Sequence, residues 1–287
     1  MKNGENVGTF SIKEINPDKI VSLMTGKSTF IPCSSKKLLK SSEEKVLDVQ
    51  QVFTSPNKLA ETPLKEISFS AYKGEVLGIV GVVGAGKTEL GKAIVGLHPI
   101  KSGKISVLGM DIYHGSTMAL AQKGAVYIPE DMMKEGLFLN MDISQNISLL
   151  ALSLIFRHFL KRKTENEFTK PFISQLKISP PKPSFPVKNL SGGNKKKTLV
   201  ARGLALKPNL LILDELTTGV DVESAFDLLN QVREIASLGT CVILLSSEFE
   251  RTLGFLDRAL VMKNGRIVAE LKSPHITEEA IINYATK

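Results

Sequence analysis

Short stretches without a polar residue recur along the chain at 76–80, 210–213 and 241–245. Unbroken apolar runs of this length are what strands buried on both faces look like, and such strands belong to parallel sheets. Residues 46–53 and 64–71 read as further strands, and 105–108 and 125–128 as shorter ones. A second period runs between them. Leu90, Ile94 and Leu97 fall at i, i+4 and i+7, so a helix entering at about Lys87 should bury that face. Helical spacing also covers 143–176, 195–206 and 224–236, while the proline-rich 179–186 must be a loop. Strands and helices in alternation predict an α/β core on a mostly parallel sheet. An antiparallel β region precedes it, and a helical lobe is inserted at about 131–190.

The stretch between the first buried strand and its helix carries chemistry. Gly81, Val82, Val83, Gly84, Ala85, Gly86, Lys87 and Thr88 fit G-x-x-x-x-G-K-[ST], the phosphate-binding loop of nucleoside triphosphatases. The glycines let the backbone curl so that successive N–H groups point inward. The helix N-terminus adds partial positive charge to that seat. Lys87 is placed to reach the β- and γ-phosphates of ATP, and the Thr88 hydroxyl to hold Mg²⁺.

Two further motifs follow. The apolar run 210–213 ends in Asp214 and Glu215. Beside a phosphate loop, Asp214 can reach Mg²⁺ while Glu215 polarises an attacking water. Ser191, Gly192, Gly193 and Asn194 open a helix some twenty residues earlier, which builds another N-terminal anion site with a hydroxyl on it.

Composition changes this picture little. The 287 residues, 43% hydrophobic and 23% charged, are those of an ordinary globular protein with ample core. Cys33 and Cys241 lie far apart and match no metal spacing, which argues for a reducing compartment. The longest apolar stretch outside the loop, 149–160, is broken by Ser153, Arg157 and His158 and is too short to span a bilayer. The net charge of +8 raises the question of nucleic acid. The densest basic runs, 161–163 and 195–197, read instead as solvated helix faces, with no aromatic-rich strand beside them, so no nucleic-acid partner is expected.

The chain's start repeats its end. Met1, Lys2, Asn3 and Gly4 recur as Met262, Lys263, Asn264 and Gly265, and at the same offset Val7, Ile15, Ile20 and Thr25 match Val268, Ile276, Ile281 and Thr286. Both copies read as a turn, a short strand and a small helix. The expectation is that 1–27 is the tail of a preceding copy, 28–44 a linker and 45–287 the domain itself, as in the second half of a tandem protein.

The order of the phosphate loop, the Leu190-Ser191-Gly192-Gly193-Asn194 signature, the strand ending in Asp214-Glu215 and Gly219-Val220-Asp221 resembles the ATP-binding-cassette ATPases. More closely it resembles the second cassette of the tandem ATPases of ribose- and galactose-type monosaccharide importers. Asn194, the 127–131 and 135–137 segments, and Leu245-Ser246-Ser247-Glu248 carry that closer likeness. The resemblance implies a P-loop NTPase fold of cassette type and ATP hydrolysis. It also implies a partner cassette, in the same chain or another, packed head to tail. Residues 81–88 would bind one nucleotide, while Ser191, Gly192 and Gly193 would close on the partner's and Asp221 would lie at the junction. The lobe would dock on an integral membrane permease at the cytoplasmic face of the cell membrane, fed indirectly by a sugar-binding protein.

Departures from the wider pattern define what else the chain could be. Glu130 stands where most cassettes have a Gln; it can ligate Mg²⁺ but cannot donate. Ser247 stands at the position of the His that contacts the γ-phosphate, which should weaken transition-state stabilisation. Glu130, Asn194 and Ser247 resemble the sugar branch. Leu216, Thr218 and 195–197 read as this chain's own drift; no clear aromatic offers an adenine platform, and Phe53, the nearest candidate, reads rather as core. Glu130 and Ser247 motivate a second reading, a nucleotide-binding half that hydrolyses poorly and lends its signature to a partner. A third, a soluble cassette acting on ribosomes or DNA repair, is opposed by the sugar-type motifs.

Overall fold

The computed structural model describes residues 6–11, 43–55, 61–112, 116–155 and 159–286. The reading of 1–27 as a preceding tail and of 28–44 as a linker therefore lies almost wholly outside the described residues. Its C-terminal counterpart forms as expected. Asn264 and Gly265, both at positive φ, turn the chain into a strand at Arg266–Lys272, followed by a helix at Glu278–Thr286.

The strands sort into two sheets. β1 (Lys45–Thr54), β2 (Ile67–Tyr72), β4 (Ile100–Val107) and β5 (Met110–Asp111) make an antiparallel sheet in the order β2-β1-β4-β5. The other sheet holds β3 (Val76–Val80), β6 (Ala125–Ile128), β7 (Leu210–Asp214), β8 (Cys241–Ser246), β9 (Arg258–Lys263) and β10 (Arg266–Lys272), in the order β10-β9-β3-β8-β7-β6. Its pairings are parallel except the β9–β10 hairpin. The continuous apolar runs are buried along their whole length in β3, β7 and β8, as strands covered on both faces must be. One core lies between the two sheets, where Leu77, Ile79, Ile212 and Ile243 meet Leu47, Ile67 and Ile105. The other lies between the parallel sheet and the helices.

The helical lobe is built from Ile143–Ser148, a 3₁₀ turn, Leu152–Ile155 and Arg162–Gln175. Asp142 opens it with a capping box closed by Gln145. Among the described residues, no helix is long and apolar enough to cross a membrane.

Several expectations need correction. The loop helix spans only Lys87–Ile94, because the chain passes Gly96 at φ +73°, and Leu97 is 50% exposed rather than packed. β9 was not anticipated. The basic run at 195–197 is not a solvated face. Lys196 and Lys197 are buried at 2% and 7% exposure on the helix Gly192–Leu204, whereas 161–163 is exposed.

Candidate nucleotide site

Where β3 ends, the chain passes tightly against the sheet. A Cβ on Gly81 would stand 2.3 Å from the Met262 backbone oxygen, so no side chain fits there. Gly86, at φ +101°, caps the helix that Lys87 begins. The rim of the loop is open, with Val83 86% exposed, while Lys87 is buried beneath it. The Lys87 amine donates to the carbonyls of Gly81 (3.0 Å) and Val82 (3.1 Å) and stands 3.7 Å from Glu215 Oε1. Burial lowers its pKa, and Glu215, Asp214 and Glu130 oppose that shift.

The ends of β6, β7 and β8 bring the acidic residues to the same place. Asp214 is 1% exposed; its Oδ2 accepts from the Tyr127 hydroxyl at 2.6 Å, and among the described residues its Oδ1 has no hydrogen-bond partner. Burial pushes the Asp214 carboxyl up to about 6, with the Tyr127 and Thr88 hydroxyls pulling the other way. Glu215 leaves the strand at φ +46°. Its carboxylate accepts the Ser247 backbone N–H at 2.9 and 3.0 Å and the Thr218 hydroxyl at 3.2 Å. Glu130 is exposed at the end of β6, near enough to act on Lys87 and Asp214.

A divalent ion would fit this site only in part. Among the described residues, no three His, Cys, Asp or Glu side chains form a metal cage. The buried Asp214 Oδ1, without a partner among the described residues, is nevertheless the atom such an ion would satisfy, and Mg²⁺ is normally held by one or two carboxylates with phosphates and water filling much of its shell.

The signature stands apart. Ser191 caps its helix and accepts from the Asn194 backbone N–H (3.4 Å) and side-chain amide (3.0 Å), and Asn194 Oδ1 accepts from Ser179 N–H at 2.8 Å. A Cβ on Gly193 would stand 2.9 Å from Ser224 Oγ. Ser224 follows Asp221, which caps the helix Val222–Ser237. The signature and 219–221 thus form one unit. Ser191 and Gly192 are exposed, and among the described residues no hydrogen bond or ion pair joins 191–194 to 81–88.

A family model, described as ABC transporter, matches residues 64–218. The chain belongs to the ABC transporter family. Among curated relatives, the ribose import ATP-binding protein RbsA of Clostridium tetani is 34% identical over 99% of this chain and 55% of its own length. The xylose import ATP-binding protein XylG of Moorella thermoacetica is 34% identical over 100% and 57%. The chain spans about half the length of the curated relatives it matches. Among solved structures, the ADP conformation of MJ1267, an ATP-binding cassette, aligns at TM-score 0.68 and 24% identity, covering 85% of this chain and 95% of that one. A dimeric post-hydrolysis state of the cassette MJ0796, bound to ADP and Pi, aligns at 0.69 and 17%, covering 79% and 98%. The fold is that of a P-loop cassette ATPase.

Around this site, sequence reasoning missed contacts rather than motifs. Tyr127 entered only through family likeness, yet it holds Asp214. Thr218, read as drift, bonds Glu215. Lys196, read as solvated, donates to the Glu215 carbonyl. A signal existed for the last, since Lys196 falls in helical register with the buried Leu199, Val200 and Gly203.

Proposed function

We propose that this chain binds and hydrolyses ATP, with Mg²⁺, to energise import of a simple sugar through a membrane permease. The observation that carries the reading is the seat of Glu215. Its carboxylate is buried, held by the Ser247 N–H and the Thr218 hydroxyl and set against Lys87, one residue past an Asp214 with an open oxygen. Residues 81–88 would cradle the phosphates, and Lys87 would turn from the loop carbonyls to the β- and γ-oxygens. Thr88, Asp214 and, from the edge, Glu130 would hold the metal, which would neutralise charge developing on the phosphates. Glu215 would orient and deprotonate the attacking water. Ser247 supplies Glu215 with its main-chain N–H, and its hydroxyl would take the γ-phosphate contact.

The likeness to ribose and xylose import proteins supports the sugar assignment and a second-cassette role, with 45–287 as the cassette domain. Ser191, Gly192, Gly193 and Asn194 would complete the site of a partner cassette, in the same chain or another. The lobe exposes Phe138, Leu150, Phe159 and Leu160, an apolar set suited to a permease at the cytoplasmic membrane face. A sugar-binding protein would act at one remove.

A second reading, ATP held but turned over slowly, draws on Ser247, whose short hydroxyl stands where most cassettes have a His. Replacing Glu215 by Gln separates the two. Hydrolysis in Mg²⁺ should fall by about a hundredfold or more while ATP binding, lost on Lys87→Ala, persists. A wild-type rate no higher than that of Glu215→Gln would leave only the second reading.

A further inference from the structure

The three lysines at 195–197 have different fates. Lys195 is half-buried, and Lys197 stands 3.9 Å from Asp227. Lys196 points the other way, into the nucleotide site. It is 2% exposed, and its amine donates to the backbone carbonyl of Glu215 at 2.5 Å. Burial lowers the pKa of this ammonium, while Glu130, Glu215, Asp214 and Glu248 oppose the shift.

Glu215 needs a hold of this kind. It is a non-glycine residue at φ +46°, a conformation that L side chains adopt at a cost and keep only when the surroundings enforce it. Its N–H is fixed to the Leu245 carbonyl at 2.9 Å and its carboxylate to the Ser247 N–H. Besides a long bond from Thr218 N–H at 3.3 Å, the remaining anchor of its peptide is Lys196. Were the carbonyl released, the turn could relax, and the carboxylate would swing away from Lys87.

The anchor comes from the signature helix. Lys196 lies one turn beyond Gly192 and Gly193, on the same rigid element. We propose that Lys196 is a positioning residue, which locks the left-handed turn at Glu215 and so ties the signature of this cassette to its own hydrolytic carboxylate. In a paired assembly Ser191 to Gly193 would grip the partner's nucleotide. Movement of that helix would then be felt at Glu215 through one hydrogen bond, linking the two nucleotide sites inside one chain. This inference rests on the hydrolase reading and deepens it.

The test compares wild type, Lys196→Met, Lys196→Gln, Glu215→Gln and the Lys196→Met/Glu215→Gln double variant. ATP hydrolysis is followed in Mg²⁺, ATP affinity is measured by equilibrium binding, and folding is checked by thermal melts. Lys196→Met should lower kcat by about tenfold or more, with KM and ATP affinity within about twofold of wild type. Gln, which retains an N–H donor without the charge, should restore most of the lost rate. In the Glu215→Gln background, Lys196→Met should cause no further loss, because the residue acts through that carboxylate. A kcat unchanged in Lys196→Met, an equal loss with or without Glu215, or KM rising in step with the fall in kcat would each overturn the proposal. If the Met variant does not fold, Lys196→Gln decides. A folded Gln protein with wild-type affinity but a rate as low as that of Glu215→Gln also overturns it. A wild type without Glu215-dependent hydrolysis would sink the underlying reading as well, a result distinct from all of these.

Discussion

Asp214 is the residue at which function opposes stability. It is buried, one of its oxygens has no hydrogen-bond partner among the described residues, and its carboxyl is pushed up to about 6 from 3.8. A shift of that size corresponds to a penalty of about 3 kcal/mol on the ionised form. Between pH 4 and 6 the folded protein holds a proton that the unfolded chain releases. The contribution of this group is therefore fully present below about pH 4 and lost as pH rises through about 6. In nucleotide-free, metal-free protein, Asp214→Asn should raise unfolding stability by about 1–3 kcal/mol at pH 7.5, and the gain should vanish near pH 4. Urea titrations at the two pH values measure it, and an equal effect at both would refute the electrostatic account. Tyr127→Phe removes a hydrogen bond that lowers the pKa of this carboxylate and should push that pKa higher. Lys87, Asp214 and Glu215 were legible because fixed spacing places them on a strand end and a loop. Tyr127 was not legible as a partner, since its contact spans 87 residues and leaves no trace in local pattern.

Between elements, Arg202 fastens the signature helix to the lobe. It is 6% exposed; Nε donates to the Asn146 carbonyl (2.7 Å), Nη2 to Asn146 Oδ1 (2.6 Å) and Nη1 to the Gly136 carbonyl. Its guanidinium also lies over the Phe138 ring, 5.7 Å from the centroid. Asn146 in turn bonds both backbone groups of Phe138 at 3.0 Å, so one side chain organises the path from β6 to the exposed lobe. Arg202→Met would leave these buried acceptors without their cation and should cost about 3 kcal/mol. The urea midpoint should fall with little change in slope, and amide exchange should quicken across 137–148. A loss under about 0.5 kcal/mol would mean that packing, not this clamp, holds the lobe. Elements buried on both faces, such as β3, β7 and β8, could be read from their apolar runs. β9 carries the same signal, an unbroken apolar run from Ala259 to Met262 that is buried like the others. Leu97 kept the helical period after Gly96 had ended the helix; periodicity alone does not record a stop.

At the scale of the molecule, the sequence showed two anion-binding helix starts, and the structure keeps them apart. The loop at 81–88 meets Asp214 and Glu215, whereas Ser191 and Gly192 face solvent. A site needing both must draw them from two cassettes. If the working species is a pair, hydrolysis by this chain alone should rise with about the square of its concentration when dilute. With ATP present, Glu215→Gln should sediment at twice the monomer mass, whereas Lys87→Ala should not. A rate strictly proportional to concentration, with a monomer throughout, would mean that one chain suffices and that the signature serves no nucleotide. ATP binding with neither hydrolysis nor pairing would point elsewhere. It would mean that the chain's signature and loop are shaped for a cassette other than its own copy, as expected if its relatives, about twice its length, carry that cassette in the half it does not match.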